Sequence, residues 1–295
     1  MRKIILTLFI LAVSVNLAHS TEIYSCPMEP ERVNGSVGRF FSAVTGTNYL
    51  VSQIAEGMFE KELKKQTASK FKVKIDSYGT KTLTNGKFKS LKITSKNANL
   101  DGLNISNLEV TTQCGYNYIY QTPQGEIKFP ENFILGFKGD ITNDDLQATV
   151  NSANYKKYVS DVNLSLGKLS LLKVTEPKFT LIKNKIKYTS KVTSPLFMTS
   201  APQEIDCDLD LKVQNNQIMF SNVHFITLDK RINPNIILPL INKLNPFTQE
   251  FEIIKDAKTI VRINDINVVN NTIKTEGTLT VPKNYTVPST KKKAG

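Results

Sequence analysis

Between Phe71 and Val110, apolar side chains alternate with lysines and polar residues. Phe71-Lys72-Val73-Lys74-Ile75-Asp76 has one apolar and one charged face, and Gly86-Lys87-Phe88-Lys89-Ser90-Leu91-Lys92-Ile93 repeats the pattern. Period-two alternation is the signature of a half-buried antiparallel strand. Asn85-Gly86 and Asp101-Gly102 interrupt it, and both dipeptides tolerate positive φ at low cost, so each is expected to turn the chain. The same alternation returns at Ile205-Cys207-Leu209-Leu211-Val213, with Asp206, Asp208, Asp210 and Lys212 on the opposite face. Asn215-Asn216 is the expected turn into Ile218-Phe220, and Val223-Phe225 continues the run. Further strands are expected at about 162–192, and near Phe251-Ile253, Val261-Ile266 and Lys274-Val281.

Helical spacing is confined to three places. Leu50, Val51, Ile54, Ala55, Met58, Phe59 and Leu63 recur at intervals of three and four, which predicts an amphipathic helix over about 47–69. Thr142, followed by Asp145 three residues on, predicts a capped helix start. A third, short helix is expected near Pro239–Leu244, ended by Asn245-Pro246.

The first twenty residues stand apart. Arg2 and Lys3 precede an apolar run over 4–15 that is too short to span a bilayer, and Ala18-His19-Ser20 offers the small residues of a cleavage site. An export signal at 1–20 is therefore expected, in preference to an uncleaved anchor or a lipoprotein signal at Cys26. An irregular segment over 21–46, one domain over 47–282 and a basic, disordered tail over 283–295 complete the expected organisation, with no Pro/Ser/Gly-rich linker between them. In an exported protein, Cys26, Cys114 and Cys207 permit at most one internal disulfide and leave one thiol over, and the sequence does not choose the pair. The formal net charge of +12 comes largely from lysines scattered over strand faces. They serve as a solubilising surface or attract anionic lipid headgroups. A nucleic-acid partner is not expected, since no docking motif is present.

Candidate chemistry is sparse. His224 is the one histidine beyond the export signal and sits in a strand-like run. Asp206, Asp208 and Asp210 share a strand face, but no loop glycine or terminal glutamate completes a calcium site, and a solvated acidic face accounts for them. No nucleophile elbow, phosphate loop or dinucleotide fingerprint appears, and nothing draws Cys114 and His224 into a pair. No cofactor, no metal and no catalytic activity are expected.

Three stretches resemble the bacterial phospholipid-binding proteins of the LmeA-like group, long known as a domain of unknown function. The first is Gly86–Ile93 with Leu100-Asp101-Gly102-Leu103. The second is Gly139-Asp140-Ile141-Thr142-Asn143-Asp144-Asp145-Leu146. The third is Leu238–Pro246, followed by Val261-Arg262-Ile263. Order and spacing agree over roughly 48–282. The resemblance implies phospholipid binding in the periplasm or cell envelope by a fold similar to tubular lipid-binding proteins. In that mostly β, α+β design, a highly twisted antiparallel sheet curls around a long amphipathic helix. It also implies peripheral membrane contact and a phospholipid or other acyl lipid, anionic or not, as partner, its chains held in an apolar tunnel for transport, presentation or sensing. The lining residues expected on this reading are Leu50, Ile54, Met58 and Phe59 from the helix, and Ile205, Leu209, Leu211, Phe220 and Phe225 from the strands. Each buried methylene contributes about 0.8 kcal/mol, so a sixteen-carbon chain gains on the order of 10 kcal/mol before association costs. The alternative is a structural or interaction protein of the envelope whose β core is filled by its own side chains.

Overall fold

A computed structural model describes residues 25–27, most of 53–69, and 70–122, 126–166, 173–193, 202–227, 234–247 and 260–287. The strands are β1 (Phe71–Asp76), β2 (Lys87–Phe88), β3 (Ser90–Leu100), β4 (Leu103–Thr112), β5 (Asn117–Tyr118), β6 (Tyr120–Gln121), β7 (Ile127–Phe129) and β8 (Phe133–Ile141). They continue as β9 (Lys173–Ile182), β10 (Lys185–Thr193), β11 (Gln203–Gln214), β12 (Gln217–Thr227), β13 (Ile260–Val269), β14 (Thr272–Val281) and β15 (Tyr285–Val287). The helices are α1 (Thr80–Thr84), α2 (Asn143–Asn151), α3 (Ala153–Leu166) and α4 (Pro234–Lys243). Further helical backbone occurs within 53–67.

Two antiparallel sheets dominate. The larger runs β1-β3-β4-β8-β14-β13, and the smaller is a meander, β12-β11-β10-β9. Four hairpins close on two-residue turns whose central residues both have positive φ: Asp101-Gly102, Lys183-Asn184, Asn215-Asn216 and Asn270-Asn271. That geometry matches the right-handed twist of the flanking strands. The second residue of three of these turns also bonds outward. Asn184 and Asn271 exchange backbone N–H to side-chain oxygen bonds of 3.1 and 3.0 Å, tying the tip of the small sheet to the tip of the large one. Asn216 accepts from Ile263 N–H at 2.7 Å and donates to the Val261 carbonyl.

The smaller sheet is strongly curled. Across four strands its edges would stand about 14 Å apart if flat. Yet Phe179 on β9 stacks on Phe220 of β12 with ring centroids 5.4 Å apart, and meets the tilted ring of Tyr188 on β10 at 4.9 Å. One apolar cluster runs from this curl into the inner face of the larger sheet. Helix α2 lies between the two, starting at the capping box the sequence predicts: Asp145 N–H donates to Thr142 Oγ1 at 3.3 Å, and Thr142 N–H to Asp145 Oδ2 at 2.8 Å.

Several expectations are corrected here. The sheet does not curl around a long amphipathic helix: the fold is a set of antiparallel sheets, and the small sheet curls on its own aromatic side chains. The helical stretch within 53–67 instead follows an outer edge. Glu56 and Glu60 accept the N–H groups of Ile75 and Val73 at 2.7 and 2.9 Å, on the side of β1 that faces away from β3. Four helical residues rise about 6 Å and two strand residues about 6.7 Å, so carboxylates at i and i+4 match alternate strand amides. Replacing both glutamates by leucine is expected to cost about 1–3 kcal/mol for each orphaned amide. Hydrogen exchange at Val73 and Ile75 should accelerate, and unchanged exchange would refute the contact. Asn85-Gly86 does not join β1 to its neighbour but ends α1, and β1 pairs with β3 beyond it. Residues 162–166 continue α3 rather than opening a strand. Tyr285–Val287, expected within a disordered tail, pairs with β7 as β15.

Candidate functional site

The interior and the outer face of the larger sheet offer very different spaces. Between the sheets, a cavity of about 40 Å³ is lined by Leu100, Ile105, Phe137, Ile218, Phe247 and Ile263, among others. Pockets that hold small molecules are roughly 300–1,000 Å³. Phe137 has already used part of the room: its ring lies over Gly277, where a Cβ would come within 2.5 Å of it.

The expected lining residues fall as follows. Ile205, Leu209 and Phe220 are buried among neighbouring side chains, and Leu211, Phe225 and Phe59 are half-buried against the same cluster. Leu50, Ile54 and Met58 lie outside the described residues. The strand members belong to one apolar cluster, in which Phe220 stacks on Phe179 and Phe179 in turn meets Tyr188.

A groove of about 1,300 Å³ opens on the opposite face. The alternation of β1, β3, β4 and β8 turns Lys72, Thr94, Lys96, Glu109, Lys138 and Asp140 outward there. The helical stretch along the β1 edge adds Lys61 and Lys64, and Lys70 stands at the entry to β1. Phe71 and Leu108 supply apolar surface. Most acids in the groove are engaged. Glu60 holds the Val73 amide, Glu109 pairs with Lys92 at 2.7 Å, and Asp140 accepts from Asn107 at 3.3 Å. Lys138 is neutralised by Glu276 at 3.4 Å. Lys61, Lys64, Lys70, Lys72 and Lys96 are exposed and have no ionic partner among the described residues. The sequence pattern marks each lysine as surface, but only the strand order β1-β3-β4-β8 gathers them into one concavity.

Elsewhere the candidate chemistry is structural. Asp206 pairs with Lys187 at 3.0 Å and Asp210 with Lys185 at 3.7 Å, both across the β10–β11 ladder. Among the described residues, no group of three or more His, Cys, Asp or Glu side chains could hold a metal. His224 is exposed on the edge strand β12. Cys26 and Cys114 form the disulfide, which leaves Cys207 as the free thiol. Burial pushes the Cys207 thiol up to about 12, with Asp206 and Asp208 adding to the effect, so it is a poor nucleophile. Among the described residues, no helix is long and apolar enough to cross a membrane.

No family model, no curated protein and no solved structure matches the chain.

Proposed function

We propose that this chain is a binding protein of the cell envelope that docks on anionic phospholipid through the lysine-lined groove of its larger sheet, leaving the acyl chains in the bilayer. The observation that carries the reading is the contrast in space and charge. Lys61, Lys64, Lys70, Lys72 and Lys96 surround a groove of about 1,300 Å³, while the cavity between the sheets is about 40 Å³. A lysine near an anionic bilayer contributes about 1 kcal/mol, so such a group acts together and is weakened by salt. Phe71 and the lysine stems give the groove an apolar component that suits an interface of mixed polarity.

Vesicle sedimentation tests it. Binding to phosphatidylcholine vesicles containing phosphatidylglycerol should exceed binding to pure phosphatidylcholine by about tenfold or more at low salt. It should fall by a similar factor when Lys64, Lys72 and Lys96 are all changed to glutamate. Equal binding to both vesicles, or no effect of the charge reversals, would refute it. Lipid extraction of washed protein supplies a second arm: stoichiometric phospholipid would instead favour acyl chains held inside.

A further inference from the structure

Each outer strand of the two main sheets carries side chains that stand in for a missing neighbour. On β1 these are Glu56 and Glu60. On β9, Asn143 Oδ1 accepts the Leu181 N–H at 3.0 Å and Gln147 donates to the Phe179 carbonyl. On β12, Asn242 takes the Phe220 N–H at 2.7 Å and returns a bond to its carbonyl at 3.3 Å, and Asn245 donates to the Ile218 carbonyl at 2.8 Å. Beyond these, β12 is bent by register shifts opposite Asp206–Asp210. On β13, Asn216 occupies Val261 and Ile263. Unpaired edges recruit other strands, and blocking them is the ordinary defence.

On β13 a further stretch has no such cover among the described residues. A register shift between Ile263 and Asp265 follows the Asn216 contact. From there to the turn at Asn270-Asn271, Val269 sits opposite Thr272 and bonds inward to β14. Alternation along an antiparallel strand then turns the N–H and C=O groups of Ile266 and Val268 away from β14. No hydrogen-bond partner meets them on that side among the described residues. A cleft of about 450 Å³ runs beside them, walled by Ile266, Asn267 and Val268 and faced by Asp210, Leu211 and Lys212.

We infer that this cleft takes a short extended segment of a partner protein, added as a strand to β13 at Ile266–Val268. Outward donors and acceptors repeat every second residue, about 6.7 Å apart, and an extended backbone supplies the complementary series. The Asn216 contact at one end and the Asn184–Asn271 clasp at the other limit the pairing to about three residues. Leu211 and Val268 favour an apolar side chain on the segment. Asp210 is engaged by Lys185 and by Asn222 at 3.1 Å, whereas Lys212 is exposed and without an ionic partner among the described residues. The fitting segment therefore alternates apolar with acidic residues.

The probe is a heptapeptide selected from a displayed random library on the full chain, then synthesised. Supporting results are protection of the Ile266 and Val268 amides from hydrogen exchange on adding it, and a loss of about tenfold or more when its alternate backbone nitrogens are methylated. V268P should abolish binding while leaving the β13–β14 ladder intact, because the proline removes an N–H that no ladder uses. The methylated peptide keeps the test valid if that variant misfolds. K212E should weaken an acidic peptide. Four results would overturn the inference: no enriched peptide, binding indifferent to methylation, amides already protected in dilute protein, or protection that appears only as the protein self-associates.

Discussion

Removing the Cys26–Cys114 bridge is expected to cost about 4–5 kcal/mol. The two cysteines are 88 residues apart in sequence, so the bridge closes a long loop of the unfolded chain and removes much of its freedom. In the folded state it fastens residues 25–27 to the buried Cys114, just beyond β4. Asn132 Nδ2 also donates to the Ser25 carbonyl at 3.2 Å. The double variant Cys26→Ala/Cys114→Ala avoids leaving an unpaired thiol. In urea its midpoint should fall by about 1.5–2.5 M, given a slope of about 2–3 kcal/mol/M for a chain of this size. Reductant should shift the wild type to the same position and leave the variant unmoved. A displacement below about 0.5 M would show that the bridge constrains little, and that 25–27 are held by other means.

Phe179→Ala is expected to cost about 3–5 kcal/mol. Its side chain is fully buried, and it closes the curl of the small sheet by touching Tyr188 and Phe220. Deleting the ring removes transfer energy and leaves a void that strands on either side cannot both collapse into. Phe179→Leu keeps most of the volume and should cost much less, under about 2 kcal/mol. The same pair of variants distinguishes a filled interior from a lipid channel. In a filled interior, stability tracks the volume removed. In a channel, truncation widens the bore, raises uptake of a fluorescent phospholipid and costs little stability. Chemical denaturation and uptake measured on the same samples decide the point.

Much of the fold could be read in advance where its cause is local. Period-two alternation marks β1, β3, β4 and β11 because each has one buried face. Thr142 and Asp145 announce the start of α2 because a capping box needs only four residues. Asp101-Gly102 and Asn215-Asn216 are correctly placed as turns. The failures come where distant contacts decide. Asn85-Gly86 has the chemistry of a hairpin turn, but β2 pairs with β5 and leaves β1 to β3, so the dipeptide ends a helix instead. The apolar side chains around 47–69 suggest a helix in the middle of a sheet. The stretch is seated along an outer edge by a buried Leu63 and by a pair of glutamates, whose role is invisible until an edge strand lies beside them. The candidate site is harder still. Apolar positions at Ile205, Leu209 and Phe220 were legible as inward-facing, but whether they surround space or one another depends on how tightly the sheet curls. The lysine groove was not legible, because its members come from four strands and a helical stretch.

The corner asparagines 184, 216 and 271 have a consequence for how this sequence can vary. At most such corners glycine substitutes freely, since it tolerates the same left-handed backbone. Here glycine would preserve the bend and cut the clasp, removing a polar tie between the sheets while their shared apolar core remains. Drift at these three places is therefore restricted to residues that satisfy two demands at once, and asparagine meets both.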